Sequence, residues 1–162
     1  GQADRLAFVV GDMARLADAF PPAGFDALIS VDTLYFVDTP AFPLAEMVSL
    51  LRPGGRLLAL YTHAADPQTP VAVFRRETLP PDKTPLGVAL RQLGLPYDVQ
   101  DFTAADRAFQ RRMRQAIEEV RPALEAEGHL FLYDSRRAEA DGTLAAHAAG
   151  CAARYLYRVE RT

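Results

Sequence analysis

The chain has 162 residues, a net charge of −3, 49% apolar residues and 24% charged residues, which predicts one globular domain with a sizeable core. The mild charge argues against a nucleic-acid or membrane-surface partner, and no apolar run approaches the roughly 20 residues of a membrane helix. Cys151 is the only cysteine, so no internal disulfide can form, and the three histidines are not at metal-ligand spacing. The first residues do not resemble a signal peptide, so the expected location is the cytoplasm.

The first part of the chain alternates apolar runs with helical patterns. Its β-branched and apolar runs predict buried strands, and apolar residues at steps of three and four predict helices. In chain order these are a strand over Leu6–Val10, a helix over Met13–Phe20, a strand over Phe25–Val31, a helix over Pro43–Leu51 and a strand over Arg56–Thr62. The turn Pro53-Gly54-Gly55 is expected to join the second helix to the third strand. Alternation of this kind is typical of a layered α/β sheet with parallel strands.

The second part of the chain is richer in helices. After a connection with a short helical stretch near Val71–Glu77, the pattern predicts a helix over Leu86–Leu93 and an edge strand over Tyr97–Phe102. Thr103 and Asp106 resemble a capping box that opens a long helix, which Pro122 interrupts and which ends near Gly128. Two shorter helices follow, over Leu130–Ala140 and Thr143–Ala149, and then a last strand over Ala152–Val159. Cys151, just before that strand, is expected to be buried and inert.

Three segments in the first part resemble consecutive motifs of class I S-adenosylmethionine-dependent methyltransferases. They are Phe8-Val9-Val10-Gly11-Asp12-Met13, Phe25-Asp26-Ala27-Leu28-Ile29-Ser30-Val31 and Leu51-Arg52-Pro53-Gly54-Gly55-Arg56-Leu57. Each motif alone is weakly specific, but their order and spacing together are distinctive. The resemblance implies a Rossmann-like three-layer α/β sandwich, with S-adenosylmethionine as cofactor and a small molecule as methyl acceptor.

Seven strands in the spatial order 3-2-1-4-5-7-6 make up the sheet of that family. By the resemblance, Leu6–Val10 is the third strand, and the remaining predicted strands are the fourth to the seventh, with the seventh antiparallel. Residues 1–162 then form a single incomplete domain that lacks the first two strands, and 103–142 form a helical insertion between the last two strands.

The absent part would carry the glycine-rich cofactor loop and the acidic residue that holds the ribose. Pro53-Gly54-Gly55 is the only glycine cluster, and it enters a strand rather than opening a helix, so it cannot replace that loop. The fourth strand would be left with a bare apolar edge, which recruits other strands. Three explanations follow: the first predicted strand collapses onto this edge, another chain pairs with it, or the polypeptide is a truncated product of a longer enzyme, which is the favoured explanation.

Candidate site residues follow the predicted strands at their carboxyl ends, where open α/β sheets bind ligands. By the resemblance, Asp12 accepts a hydrogen bond from the adenine amino group, and Met13 packs on the ring. Asp12 also suits a helix cap, and both roles can coexist. Val31 lines the cofactor site, Asp32 orients the acceptor and Tyr35 walls its pocket, although a capping Asp32 and a packed Tyr35 are the structural alternatives.

One further catalytic candidate is His63, at the end of the fifth strand of the family order. A histidine there suits a general base near neutral pH, although a solvated loop histidine is the simpler interpretation. Methyl transfer from a sulfonium needs alignment and desolvation more than a protein nucleophile, and no metal is expected.

Three classes of function remain open at the level of sequence. The chain is either an enzyme or part of one that methylates a small molecule, or a degenerate methyltransferase-fold scaffold that self-associates through its sheet edge. A different nucleotide-binding α/β protein fits worst, because no phosphate-cradling loop is present.

Overall fold

The computed structural model describes residues 5–37 and 39–162. Their regular elements are four strands, four α-helices and three short 3₁₀ helices. The strands are β1 (Phe25–Val31), β2 (Leu51–Ala64), β3 (Tyr97–Asp101) and β4 (Ala152–Glu160). The helices are α1 (Ala41–Leu50), α2 (Pro85–Gln92), α3 (Thr103–Ala126) and α4 (Leu130–Ala148), and the 3₁₀ helices span Met13–Asp18, Leu34–Phe36 and Arg76–Thr78.

The four strands form one sheet in the order β1-β2-β4-β3. β1 and β2 are parallel. β4 runs antiparallel to β2, because Arg161 pairs with Gly54 and Gly55 while Cys151 pairs with Ala65. This order is the 4-5-7-6 part of the sheet that the sequence predicted, and the antiparallel last strand is also confirmed. The α/β fold class is therefore confirmed, with helices α3 and α4 inserted between β3 and β4.

One predicted strand is wrong. Residues 6–12 have no regular secondary structure, and their apolar side chains lie in solvent, with Phe8 96% exposed. A strand is stable only when its backbone hydrogen bonds have partners, and β1 forms the end of the sheet on this side of the described chain. Of the three explanations given above, the collapse of this segment onto β1 therefore does not occur.

The glycine-containing turn is also placed differently. Pro53-Gly54-Gly55 lies inside β2 rather than before it. The register passes from Phe25↔Leu51 to Ala27↔Arg56, so the extra residues of β2 form a bulge. Gly54 has a φ of +78°, and a Cβ on Gly55 would lie 2.8 Å from the Arg52 carbonyl oxygen. Glycine is thus required at both positions for β2 to start directly after α1.

In the helical region, two predicted interruptions are wrong. Helix α3 continues through Pro122, and α4 continues through Asp141 and Gly142 as a single helix. Packing explains this, because α3 and α4 lie against each other along their length and contacts of this kind outweigh a weak helix former. The predicted capping box does not form either. The Thr103 backbone N–H donates to the Asp101 carboxylate at 2.7 Å, and the Asp106 carboxylate binds other partners.

Two compact units divide the described chain. The first contains the residues up to Leu60, Pro85–Asp98 and Tyr157–Thr162, and its fully buried residues include Leu44, Leu57, Leu90 and Tyr157. The second contains Tyr61–Thr84 and Val99–Leu156, with a core of Ala65, Phe74, Ala146, Cys151 and Ala152. Cys151 is buried, as the sequence predicted. In the part of the chain that the structure covers, no helix has both the length and the apolar character to cross a membrane.

Candidate active site

The first candidate residue, Asp12, caps the 3₁₀ helix Met13–Asp18. Its carboxylate accepts a hydrogen bond from the Ala14 backbone N–H at 2.9 Å, and its carbonyl oxygen accepts one from Arg15 at 3.0 Å. Asp12 also lines an open depression of about 380 Å³ whose other lining residues are Val9, Val10, Gly11, Arg15, Asp18 and Ala19. A carboxylate acceptor beside valine side chains suits a flat heteroaromatic ring with an exocyclic amine.

Helix α1 holds this 3₁₀ helix in place. The Glu46 carboxylate accepts a hydrogen bond from the Ala17 backbone N–H at 3.0 Å. Behind the helix, the Phe20 and Phe25 rings meet edge to face with centroids 5.5 Å apart. Asp12 and the half-buried Met13 therefore sit on a fixed element, although the residues before Asp12 are exposed.

The second group of candidates lies where β1 ends. Val31 pairs with Leu60 of β2, and the Asp32 backbone N–H donates to the Leu60 carbonyl oxygen at 2.9 Å. Asp32 has a φ of +50°, the left-handed region that non-glycine residues seldom adopt. Backbone conformations of this kind are concentrated at functional sites, and this one turns the chain sharply as it leaves the sheet.

Two residues that the sequence analysis did not select fix the turn after β1. The hydroxyls of Ser30 and Thr33 are hydrogen bonded at 2.7 Å, and Ser30 is buried. Leu34 is buried in turn, so the 3₁₀ helix Leu34–Phe36 is anchored while Tyr35 and Phe36 stay exposed. The available sequence signal was a serine near the carboxyl end of a mainly apolar strand.

His63 lies near the end of β2, in the second compact unit. Its Nε2 lies 2.7 Å from the Thr78 hydroxyl oxygen, and its ring lies 5.1 Å from the Phe74 ring. Burial lowers the pKa of His63 below its ordinary value of 6.5, because a charged imidazolium loses solvation there. Burial therefore favours the neutral imidazole, in which one ring nitrogen is free of hydrogen.

The candidates therefore fall into three groups. Val31, Asp32 and Tyr35 share one turn at the carboxyl end of β1, as predicted. Asp12 and Met13 share the 3₁₀-helix start, and His63 belongs to the other compact unit.

A buried polar cluster in the second unit was missed by the sequence analysis. The Asp106 carboxylate lies 2.8 Å from His147 Nε2 and 3.0 Å from an Arg154 guanidinium nitrogen, and the Asp106 and His147 side chains are each 1% exposed. This cluster joins α3, α4 and β4. The only sequence signal was a histidine within an alanine-rich helix, which has no distinguishing spacing.

The family model described as "Methyltransferase domain" matches residues 1–59. No curated protein matches the chain. Among solved structures, the chain is similar to a phosphoethanolamine N-methyltransferase 2 from Haemonchus contortus solved with phosphomonomethylethanolamine and S-adenosylhomocysteine, with a TM-score of 0.68 and 16% identity over 88% of this chain and 35% of that one.

Two further similar structures have different names. A cyclopropane synthase from Mycobacterium tuberculosis has a TM-score of 0.67 and 13% identity over 88% of this chain and 57% of that one. The [4+2]-cyclase SpnF has a TM-score of 0.64 and 20% identity over 98% of this chain and 57% of that one.

At these identities the solved structures establish the fold, and the chain spans between 35% and 57% of the length of these three. The matched segment contains the 3₁₀ helix that begins at Met13, the whole of β1, and the turn with Asp32. The family model covers residues 1–59 of the 162, and the solved structures establish a fold of the class I methyltransferase type.

Proposed function

We propose that the chain contributes to S-adenosylmethionine-dependent methyl transfer onto a small-molecule acceptor. The observation that carries the proposal is the turn after β1, where the left-handed Asp32 and the exposed Tyr35 follow the carboxyl end of a parallel strand within the matched segment. Open α/β sheets bind their ligands at that edge. The similar structure solved with S-adenosylhomocysteine and a phosphorylated amine supports both the cofactor and the acceptor class.

The residues at the depression beside Asp12 fit the adenine end of this cofactor. The Asp12 carboxylate is an acceptor for the amino group, and Val9 and Val10 supply an apolar wall. The sequence contains no G-x-G loop, so this chain offers no backbone cradle of that kind for the rest of the cofactor. When bound, the cofactor supplies the electrophilic methyl group.

The chain's own residues then have separate tasks. Met13 packs on the adenine ring and Val31 lines the cofactor site. Asp32 accepts a hydrogen bond from the acceptor's amine or hydroxyl and fixes its direction, which is a large part of catalysis when the reacting groups only need alignment. Tyr35 forms a wall that excludes water, and His63 removes the proton from an acceptor that must lose it.

We place the protein in the cytoplasm because its single cysteine allows no internal disulfide. One fold can support several reactions, and a cyclase is among the similar structures. A scaffold that only self-associates is therefore the second candidate, and it is favoured by the exposed edge of β1.

A calorimetric titration with S-adenosylhomocysteine tests the proposal. We expect the 162-residue chain to bind it, and Asp12→Asn to weaken binding about tenfold, because a charge-assisted hydrogen bond is replaced by a neutral one. Asp26→Asn is the matched control, since Asp26 lies at the other end of β1 and its carboxylate binds Arg52 at 2.8 Å.

Two results would count against the proposal. A folded chain that does not bind the ligand would not work as an enzyme by itself, and would be either a fragment of a longer enzyme or a scaffold. Equal affinity of the Asp12 and Asp26 variants would remove Asp12 from the cofactor site.

A further inference from the structure

The Thr78 hydroxyl has its single proton committed to a backbone carbonyl. The Thr78 O–H group donates to the Arg75 carbonyl oxygen, with the two oxygens 2.6 Å apart. The same carbonyl also accepts the Thr78 backbone N–H at 3.0 Å, as the 3₁₀ helix Arg76–Thr78 requires. A hydroxyl has one donor proton and two acceptor lone pairs. Toward any third group, Thr78 can therefore only accept.

That third group is His63. Its Nε2 lies 2.7 Å from the Thr78 oxygen, so this nitrogen must be the one that carries the hydrogen. A neutral imidazole has one N–H and one bare nitrogen, and the hydrogen bond made by one nitrogen decides the state of the other. Nδ1 is then the acceptor nitrogen of the ring.

The segment that presents Thr78 is itself held firmly. An Arg76 guanidinium nitrogen donates to the Ala149 carbonyl oxygen at 3.1 Å. The Tyr155 hydroxyl donates to the Leu79 carbonyl oxygen at 3.0 Å. These bonds join the segment to the end of α4 and to β4 within the same compact unit, so Thr78 keeps its position relative to the His63 ring.

We propose that Thr78 is a positioning residue that keeps His63 in the Nε2–H form and makes Nδ1 the ring nitrogen that can take up a proton. The inference rests on the proposed function, in which His63 is the base. The O–H or N–H bond of the acceptor breaks, its electron pair stays on the acceptor atom, and an Nδ1–H bond forms. The resulting imidazolium keeps its hydrogen bond to Thr78 and later releases the Nδ1 proton to solvent.

Nitrogen NMR of histidine-labelled chain tests the tautomer without any cofactor. We expect a pyrrole-type Nε2 and a pyridine-type Nδ1 for His63 at about pH 8, where an imidazole is neutral. The resonances are assigned by their loss in His63→Gln. Thr78→Val is expected to lower the ratio of the two tautomers about fivefold, the effect of one hydrogen bond, and Thr78→Ser is expected to restore it.

Thr69→Val is the matched control, because Thr69 is an exposed threonine of the same connection, and its backbone N–H binds Asp66. A His63 ring protonated at Nδ1, or a tautomer ratio that Thr78→Val leaves unchanged, overturns the inference. If Thr78→Val fails to fold, the wild-type and Thr78→Ser spectra still decide it.

The two proposals fail in different ways. Loss of S-adenosylhomocysteine binding removes the proposed function but leaves the His63 spectrum as it is. In a chain that transfers methyl groups, we expect Thr78→Val to lower kcat with little change in KM. Full activity of His63→Gln would overturn the role of His63 as base, whatever its tautomer.

Discussion

At the scale of single residues, backbone conformation separates structural positions from candidate functional ones. Ala23 and Asp32 are the non-glycine residues with positive φ in the described chain, at +52° and +50°. Ala23 lies in the turn before β1, where its N–H donates to the Ser49 carbonyl oxygen at 3.1 Å. Asp32 follows the carboxyl end of the same strand. The left-handed conformation of Ala23 only lowers the stability of the fold. The same conformation at Asp32 also sets the direction of a carboxylate.

Glycine substitutions at these two positions should separate stability from function. We expect Ala23→Gly to raise the free energy of unfolding by about 1 kcal/mol, because glycine adopts this conformation without steric strain. Asp32→Ala and Asp32→Gly both remove the carboxylate, and Asp32→Ala should be about 1 kcal/mol less stable than Asp32→Gly because alanine is strained at positive φ. Urea unfolding measures all three.

Function is the second readout for the same variants. Only the Asp32 variants should impair methyl transfer. An Ala23→Gly variant that loses activity equally would show that Asp32 has no special role in orienting the acceptor.

At the scale of elements, α3, α4 and β4 are joined by the buried cluster of Asp106, His147 and Arg154. Two helices that pack through apolar stripes could slide against each other, but a carboxylate that binds partners on α4 and β4 allows one register. The contact also favours an unbroken α4. A break at Gly142 would rotate the following turns of the helix and move the His147 ring away from Asp106. Burial makes the charges costly to leave unpaired.

Removal of this carboxylate should therefore destabilise the fold strongly. We expect Asp106→Ala to lower the free energy of unfolding by about 3 to 5 kcal/mol, because the buried His147 ring and the Arg154 guanidinium would both lose the carboxylate that they contact. Glu139→Ala removes an exposed ion pair to Arg136 on α4 and should cost less than about 1 kcal/mol. Similar losses in the two variants, measured by urea unfolding, would mean that the cluster is as weak as a surface pair.

At the scale of the molecule, β1 is an edge strand of the sheet formed by the described residues, and an edge strand can pair with another chain. Several apolar side chains close to this edge lie in solvent, among them Ile29, which is 72% exposed. The sequence Phe-Asp-Ala-Leu-Ile-Ser-Val has the same polarity pattern in both directions. Two antiparallel copies centred on Leu28 would place Asp26 opposite Ser30 and Ala27 opposite Ile29, with no like charges facing each other. We propose a second copy of the chain as the partner of this edge.

A charge on the edge strand should prevent this pairing. We expect the wild-type chain to sediment as a dimer and Ile29→Lys to sediment as a monomer, because an edge lysine opposes strand addition. Val120→Lys is the control, since Val120 is an exposed apolar residue on α3, 46% accessible, and it should leave the dimer intact. A monomeric wild-type chain, or dissociation in both variants, would rule out pairing through β1.

Much of the fold follows from the sequence alone. Apolar runs and helical spacing determined β1, which has the predicted bounds, and placed α1, α2, β3 and β4 within two residues of their observed starts. The motifs in the first part of the chain also indicated the strand order. The reason is that these elements depend on the local spacing of apolar residues, which decides the face that is buried. This spacing can be read from residues that are close together in the sequence.

Other features were decided only by tertiary structure. Leu6–Val10 has the composition of a buried strand but lacks a hydrogen-bonding partner, and the continuous α3 and α4 depend on each other's contacts. The partners of Asp106 and the link between His63 and Thr78 join residues that are distant in sequence. A sequence lists which side chains can form hydrogen bonds, but the fold decides which of them meet, because a hydrogen bond needs two atoms about 3 Å apart.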